Sequence, residues 1–256
     1  MGAALRYEFV RITTVRSTWI GLVFCVVAGF GVGLLATIRQ TGFDDQGNEI
    51  TQPVSWWSAF APIAMIVFVV ASVVASQAIG QEYRFGLIRL TLSAFPRRVV
   101  VLGAKVVVVV LAAVLLAVTG FVGGWLALAA RGMPVPPADQ PAPDSTFLVR
   151  GVVMVVLWAL SAFALAGITH QTAVGIAIPI VSGLIVENAL MAFLSERVDW
   201  LMKVLPWSTA TPWQDSAVSM PPDYPFPVGW GAVTVLAVWV VAFLVIETVT
   251  FLRRDA

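Results

Sequence analysis

Six stretches of the chain are apolar over about 20 residues or more, the length a helix needs to cross a hydrocarbon core about 30 Å thick. They run over about 18–38, 57–79, 100–130, 148–168, 173–194 and 229–251. None alternates apolar and polar residues as a barrel strand does, so continuous helices are the expected form. The third stretch is longer than one crossing requires, which implies tilt or extension into water. Composition agrees: 59% of the 256 residues are hydrophobic and 11% are charged. A soluble domain carries about 45–50% and about 25%. So little charge cannot cover a water-facing surface, and so apolar a chain does not stay disordered. The single cysteine, Cys25, excludes a scaffold held by internal disulfides. The expected fold is an all-α membrane protein, one domain over residues 1–256 with six transmembrane helices.

The charges set the expected orientation. Ten of the fifteen basic residues fall in the N-terminal segment (Arg6, Arg11, Arg16), the connection between spans two and three (Arg84, Arg89, Arg97, Arg98, Lys105) and the C-terminus (Arg253, Arg254). The opposite connections hold nine acids, from Asp44 to Asp223, and the other five basic residues. The positive-inside rule puts both termini in the cytoplasm, as six spans require. The first span is too long for a cleaved signal and no small-residue cleavage site follows it, so it reads as a retained anchor.

Three segments between spans have a character of their own. In residues 3–17, Leu5, Phe9 and Ile12 share a stripe, while Arg6 and Arg11 lie largely elsewhere; this predicts an amphipathic helix in the cytoplasmic interface. Residues 81–98 mix apolar and basic side chains. Leu87, Leu90 and Ala94 fit one helical face and Pro96 ends the run, giving a surface on which a soluble partner can dock. On the other side, 131–147 is proline-rich, whereas 195–228 intersperses Trp200, Trp207 and Trp213 with polar residues. Tryptophan favours the membrane boundary, so this second segment is expected to dip into the outer leaflet.

Chemistry-bearing motifs are scarce. The only histidine, His170, stands in the short turn between spans four and five. The sequence has no Gly-rich phosphate loop, no nucleophile elbow and no His/Cys ligand set. Any ATP used must be hydrolysed by another chain. Glu187, followed by Asn188, lies within the fifth span, where a charge at mid-membrane costs at least about 2.5 kcal/mol. Two readings stand open: a pathway or gate residue facing the bundle interior, or a wet residue near the outer interface. Glu247 reads as an interfacial partner of Arg253 or Arg254. Glycines at 29, 31 and 33 and at 120, 123 and 124 permit close helix approach.

The connection Glu82, Gly86, Leu90, Pro96 and Arg98, with Lys105 seven residues later, resembles the signature of type-2 ABC transporter permeases, the membrane subunits of bacterial exporters. Leu87 stands where that signature usually has threonine. The Arg16-Ser17-Thr18-Trp19 lead into the first span, the His170-Gln171-Thr172-Ala173 turn, the Leu205-Pro206-Trp207 stretch and the Arg253-Arg254-Asp255 ending are also similar, in the same order. The resemblance implies a permease in a bacterial plasma membrane, itself without cofactor, metal or catalytic site. It would pair with a second permease, as homodimer or heterodimer, and with two copies of an ATP-binding subunit that carry the ATP and magnesium. It further implies an elbow helix bearing Arg6, Arg11 and Arg16, and a coupling helix within 81–98 whose ATPase-coupling residues are Glu82, Gly86, Leu90, Pro96, Arg98 and Lys105. The outer segment 195–228, with Trp200, Trp207 and Trp213, would form a re-entrant gate. Membrane lipid is a further partner and nucleic acid is not. The competing class is a proton-coupled secondary transporter or channel that uses Glu187.

Overall fold

The computed structural model describes residues 2–36, 40–43, 49–52, 60–95, 97–132, 146–194, 200, 203–207 and 229–253. Helix α1 (Gly2–Thr14) meets α2 (Arg16–Ala36) at a sharp bend at Val15. The bend is fixed by Trp19, whose indole N–H donates to the Thr13 carbonyl at 2.7 Å, and by Ser17, which donates to Gln77 at 2.8 Å. Beyond α2, strands β1 (Gln40–Phe43) and β2 (Glu49–Gln52) form an antiparallel hairpin with Gln40 opposite Gln52. This hairpin is the one departure, among the described residues, from the expected all-helical chain. Helices α3 (Phe60–Arg84), α4 (Ile88–Ala94), α5 (Arg98–Ala130) and α6 (Phe147–Thr169) follow.

The last long helix is α9 (Trp230–Arg253), but the stretch expected as the fifth span is divided. It consists of α7 (Thr172–Val181), a π-helical turn (Ser182–Val186) and α8 (Glu187–Leu194). Pro179 inside α7 has no N–H to donate and its ring crowds the preceding turn, so the regular hydrogen-bond ladder cannot run through it. The register then widens, and the Glu187 N–H bonds the Ser182 carbonyl five residues back. Five helices, α2, α3, α5, α6 and α9, are therefore long and apolar enough to cross a membrane among the described residues, where the sequence suggested six. At about 1.5 Å per residue, the 33-residue α5 is about 50 Å long and exceeds a single crossing.

The core lies between α3 and α6. Their apolar segments are 67% buried, against 22% for α2 and α9, which sit at the rim. Phe68 of α3 stacks on Trp158 of α6 with ring centroids 4.6 Å apart, and the Trp158 N–H donates to Ser72 at 2.9 Å, so the large ring is buried with its polar edge satisfied. Helices α2 and α5 touch backbone to backbone. A Cβ at Gly33 would come within 2.9 Å of the Gly124 carbonyl oxygen, and one at Gly29 would strike that of Gly120. With hydrocarbon on the outside, such close approach replaces the hydrophobic effect as the main source of helix adhesion. Gly31, between them, faces open space.

One end of the bundle gathers α1, α4, the start of α5, the end of α9 and the turn at His170. His170 takes a left-handed conformation (φ 57°) to close α6, and stacks on Tyr83 with centroids 3.9 Å apart. Because α1, α4 and α5 carry their arginines here, we refer to this as the basic end.

Candidate functional site

Four charged side chains from three helices meet inside the basic end. The Lys105 ammonium on α5 donates to Glu82 Oε1 on α3 at 2.6 Å, to Glu8 Oε1 on α1 at 2.7 Å and to the Ala78 carbonyl at 3.5 Å. A lysine has three N–H donors, and all three are used. Arg11 of α1 pairs with the same Glu82 oxygen, donates to the Ala78 carbonyl and lies 3.4 Å from Glu8. Glu8, Glu82 and Lys105 are each at most 3% exposed. Desolvating four charges is costly, and the mutual attraction of two carboxylates and two cations with shared hydrogen bonds offsets that cost only while the set stays complete.

The cluster explains how α1 docks. Its inward stripe is Ala4 and Glu8, with Arg11 half-buried, while Phe9 and Val10 face outward. The helix thus presents charge to the protein and apolar surface to the surroundings. Arg6 and Arg16 are exposed and make no part of the cluster. Sequence reasoning missed Glu8; its spacing of three residues from Arg11 was the available signal.

Beyond Glu82 the chain turns sharply at Gly86, whose φ of +66° suits glycine although a Cβ there would meet nothing. Helix α4 then tucks Ile88 and Thr91 inward. Leu87, Leu90 and Ala94, the face identified in the sequence, point outward beside Phe85; Leu90 is 67% and Phe85 65% exposed. Arg84, Arg89 and Arg97 surround them and are exposed too. Arg98 reaches across to α9 and donates to the Phe251 carbonyl at 3.1 Å. Pro96 lies outside the described residues. Of the six expected coupling residues, Glu82 and Lys105 are thus internal, Gly86 shapes the turn, Leu90 is the outward-facing one and Arg98 ties α5 to α9.

Glu247 departs from expectation. It is not a surface partner of Arg253, which is exposed, but is 1% exposed against Gly167 of α6, with neither carboxylate oxygen hydrogen-bonded. Glycine at 167 makes the room: a Cβ there would fall 2.9 Å from Glu247 Cγ and closer still to its carboxylate.

Away from the basic end, Glu187 caps a second buried arrangement. Its Oε2 accepts the backbone N–H of Trp207 at 3.0 Å, and the carboxyl group is buried. Trp207, 5% exposed, presses on Gly183 of the π turn, where a Cβ would lie 2.7 Å from both Trp158 and Trp207. The Trp239 indole holds the same segment by donating to the Val204 carbonyl at 2.7 Å. The widened turn is what swings Gly183 and Glu187 toward this plug. Trp200 is exposed; Trp213 and the Asn188 side chain lie outside what the structure describes.

A family model described as ABC-2 family transporter protein matches residues 4–186, from the docked helix α1 to the end of the π turn. The chain belongs to the ABC-2 transporter family. Together with five apolar helices of crossing length, membership makes it a multi-pass membrane protein of transport type. Comparison with curated proteins gives no match. The matched part of this ABC-2 chain contains the whole Glu8–Arg11–Glu82–Lys105 cluster and α4; Glu187, Trp207 and α9 lie beyond it.

Proposed function

We propose that this ABC-2 chain is the permease half of an ATP-driven exporter in a bacterial plasma membrane, with both termini in the cytoplasm. The observation that carries the reading is the surface of α4: an apolar face of Leu87, Leu90 and Phe85 ringed by arginines, at the end of the bundle richest in positive charge. A soluble ATP-binding subunit is the partner such a surface suits, and it would supply the ATP and magnesium. Two of these subunits and a second permease, identical or not, would complete the transporter.

Movement of α4 reaches the bundle through two ties that start close to it. Glu82, four residues before Gly86, is bonded to α1 and α5, and Arg98, at the start of α5, is bonded to α9. Closure of the ATPase pair therefore acts on α1, α5 and α9 together. ATP drives the change only through its tighter binding to one state of the pair. The Glu187–Trp207 plug is the element that opens at the far end, releasing a hydrophobic or amphipathic substrate.

Reconstitution with an ATP-binding subunit in vesicles tests this reading. ATP-dependent movement of amphipathic dyes, and loss of subunit association on Leu90→Asp, are expected. Transport that survives ATP depletion but collapses with the proton gradient would overturn it in favour of proton coupling through Glu187.

A further inference from the structure

The charges inside the basic end cancel: Arg11 and Lys105 stand against Glu8 and Glu82. Glu247 is buried as well. Arg6, Arg16, Arg84, Arg89, Arg97 and Arg253, by contrast, are exposed. Among the described residues, the surface of this end therefore carries cations and no acid.

Helix α1 adds an apolar component to that surface. Two residues along a helix stand about 200° apart, so Arg6 and Val10, on either side of Glu8 in sequence, both lie opposite it. Tyr7 and Phe9 flank them and are exposed too. Arg16 is exposed at the bend, one helical turn before Trp19. Between the bend and α3 lies a crevice of about 20 Å³ whose polar lining is Arg11, Thr18, Gln77 and Gln81, with no carboxylate. It has room for one water or one headgroup oxygen.

The helix stands at the depth of lipid headgroups. Trp19, exposed and with its N–H satisfied by the Thr13 carbonyl, marks the membrane boundary. Gly29 meets Gly120 and Gly33 meets Gly124, so α2 and α5 run parallel with a constant offset of 91 residues. Lys105 is therefore level with a point five residues before Trp19 on the α2 axis, about 8 Å to the water side of the boundary. Glu8, bonded to Lys105 at 2.7 Å, holds α1 at that level. The headgroup layer is about 5–8 Å thick on each side of the hydrocarbon. A soluble partner would have to enter that layer to cover Phe9 and Val10.

We propose that the outer face of α1 and the α1–α2 bend form a binding surface for anionic phospholipid headgroups, held by Arg6 and Arg16. Lys105 draws Glu8 inward and leaves this face without a negative charge, so anionic headgroups are attracted over zwitterionic ones. Phe9 and Val10 rest against the upper acyl chains while the guanidinium groups meet the phosphates. This goes beyond the transport reading and needs no ATP-binding subunit.

Lipid-specific quenching tests the surface. The chain is reconstituted in nanodiscs of equal phosphatidylglycerol and phosphatidylcholine, with an NBD dye on Val10→Cys; Cys25 is fully buried and does not compete for the dye. One lipid or the other carries the same doxyl label on its acyl chain, so the ratio of the two quenching efficiencies reports local enrichment at equal depth. The phosphatidylglycerol to phosphatidylcholine ratio should be about five, the effect of one arginine at an anionic surface. Arg6→Gln combined with Arg16→Gln should bring it to about one, and so should 1 M salt on the chain that keeps both arginines, where the screening length is about 3 Å. A dye on Val238→Cys, exposed within α9, should give a ratio of about one throughout. A ratio of about one at the α1 position in low salt overturns the proposal. So does an enrichment that survives both the substitutions and salt, and so does quenching by neither lipid, which would put this face in water or against a protein. If the double substitution prevents folding, the salt series on the chain with both arginines decides. Because no partner subunit is present, failure here is distinct from failure of α4 to dock an ATPase.

Discussion

Lys105 on α5 and Glu82 on α3 lie 2.6 Å apart, Nζ to Oε1, with both side chains inside the protein. The two residues at the core of the family-like signature therefore act on each other and on α1. What faces outward from the same connection is apolar and basic, at Leu90 and its neighbours. The signature combines an internal strut with an external surface, and the two are separable by mutation.

Lys105→Met should destabilise the fold by about 3–5 kcal/mol, because it leaves Glu8 and Glu82 buried with only Arg11 between them. Combining it with Glu82→Leu should restore part of that loss, since the second carboxylate no longer needs a partner. Thermal unfolding in detergent, monitored by circular dichroism, measures both. A double variant no more stable than Lys105→Met alone would sink the strut.

Leu90→Asp and Phe85→Asp should behave in the opposite way. Both side chains are exposed, so stability should stay within about 0.5 kcal/mol of the original. Co-purification with an ATP-binding subunit should fall sharply, as a charge placed at the centre of an apolar docking face is left unpaired. Retained association would mean that the partner docks elsewhere.

The long helices were legible because lipid demands an unbroken apolar run, and that demand needs no knowledge of neighbours. Helix α4 was legible from the spacing of Leu87, Leu90 and Ala94, but its orientation was not, because periodicity defines a face without saying what covers it. Glu8 was not legible because an interfacial helix normally buries its apolar stripe; here Lys105, 97 residues away, reverses the preference. Glu247 stands nearly two helical turns from the C-terminal arginines Arg253 and Arg254, and only the absence of a side chain at Gly167 lets it turn inward. The π turn follows from Pro179 and from Trp207 packing on Gly183, a contact between residues too far apart in sequence for local pattern to register.

The α2–α5 contact gives a paired test. Gly29→Ala places a methyl group against the Gly120 carbonyl and should cost about 1–3 kcal/mol through forced separation of the helices. Gly31→Ala, one residue beyond the contact stripe, meets nothing and should be neutral or stabilising by a few tenths of a kcal/mol, about the helix-propensity gain. Equal effects on the melting temperature would contradict the packing.

Cys25 offers a chemical probe of the same interface. It is the one cysteine of the chain and is fully buried. A maleimide should therefore leave the folded protein unmodified and add a single label after denaturation in detergent, read by mass spectrometry. Rapid labelling of the folded chain would show that α2 does not pack as described.

The Glu187–Trp207 contact can be tested at the bond that holds it. Glu187 accepts the backbone N–H of Trp207, so the exchange rate of that one amide reports the contact directly. A hydrogen bond to a charged group contributes about 1.5–3 kcal/mol, so Glu187→Ala should speed Trp207 exchange about ten- to a hundredfold. Glu187→Gln keeps an acceptor oxygen without the charge and should fall between. The Lys203 amide, bonded to the Trp200 carbonyl at 3.2 Å, serves as the internal reference, because loss of Glu187 leaves its acceptor in place. If both amides accelerate together, the segment is held by tryptophan packing as a whole and Glu187 is not its latch. If neither does, burial of Trp207 between Gly183 and Phe243 suffices to hold the segment in place.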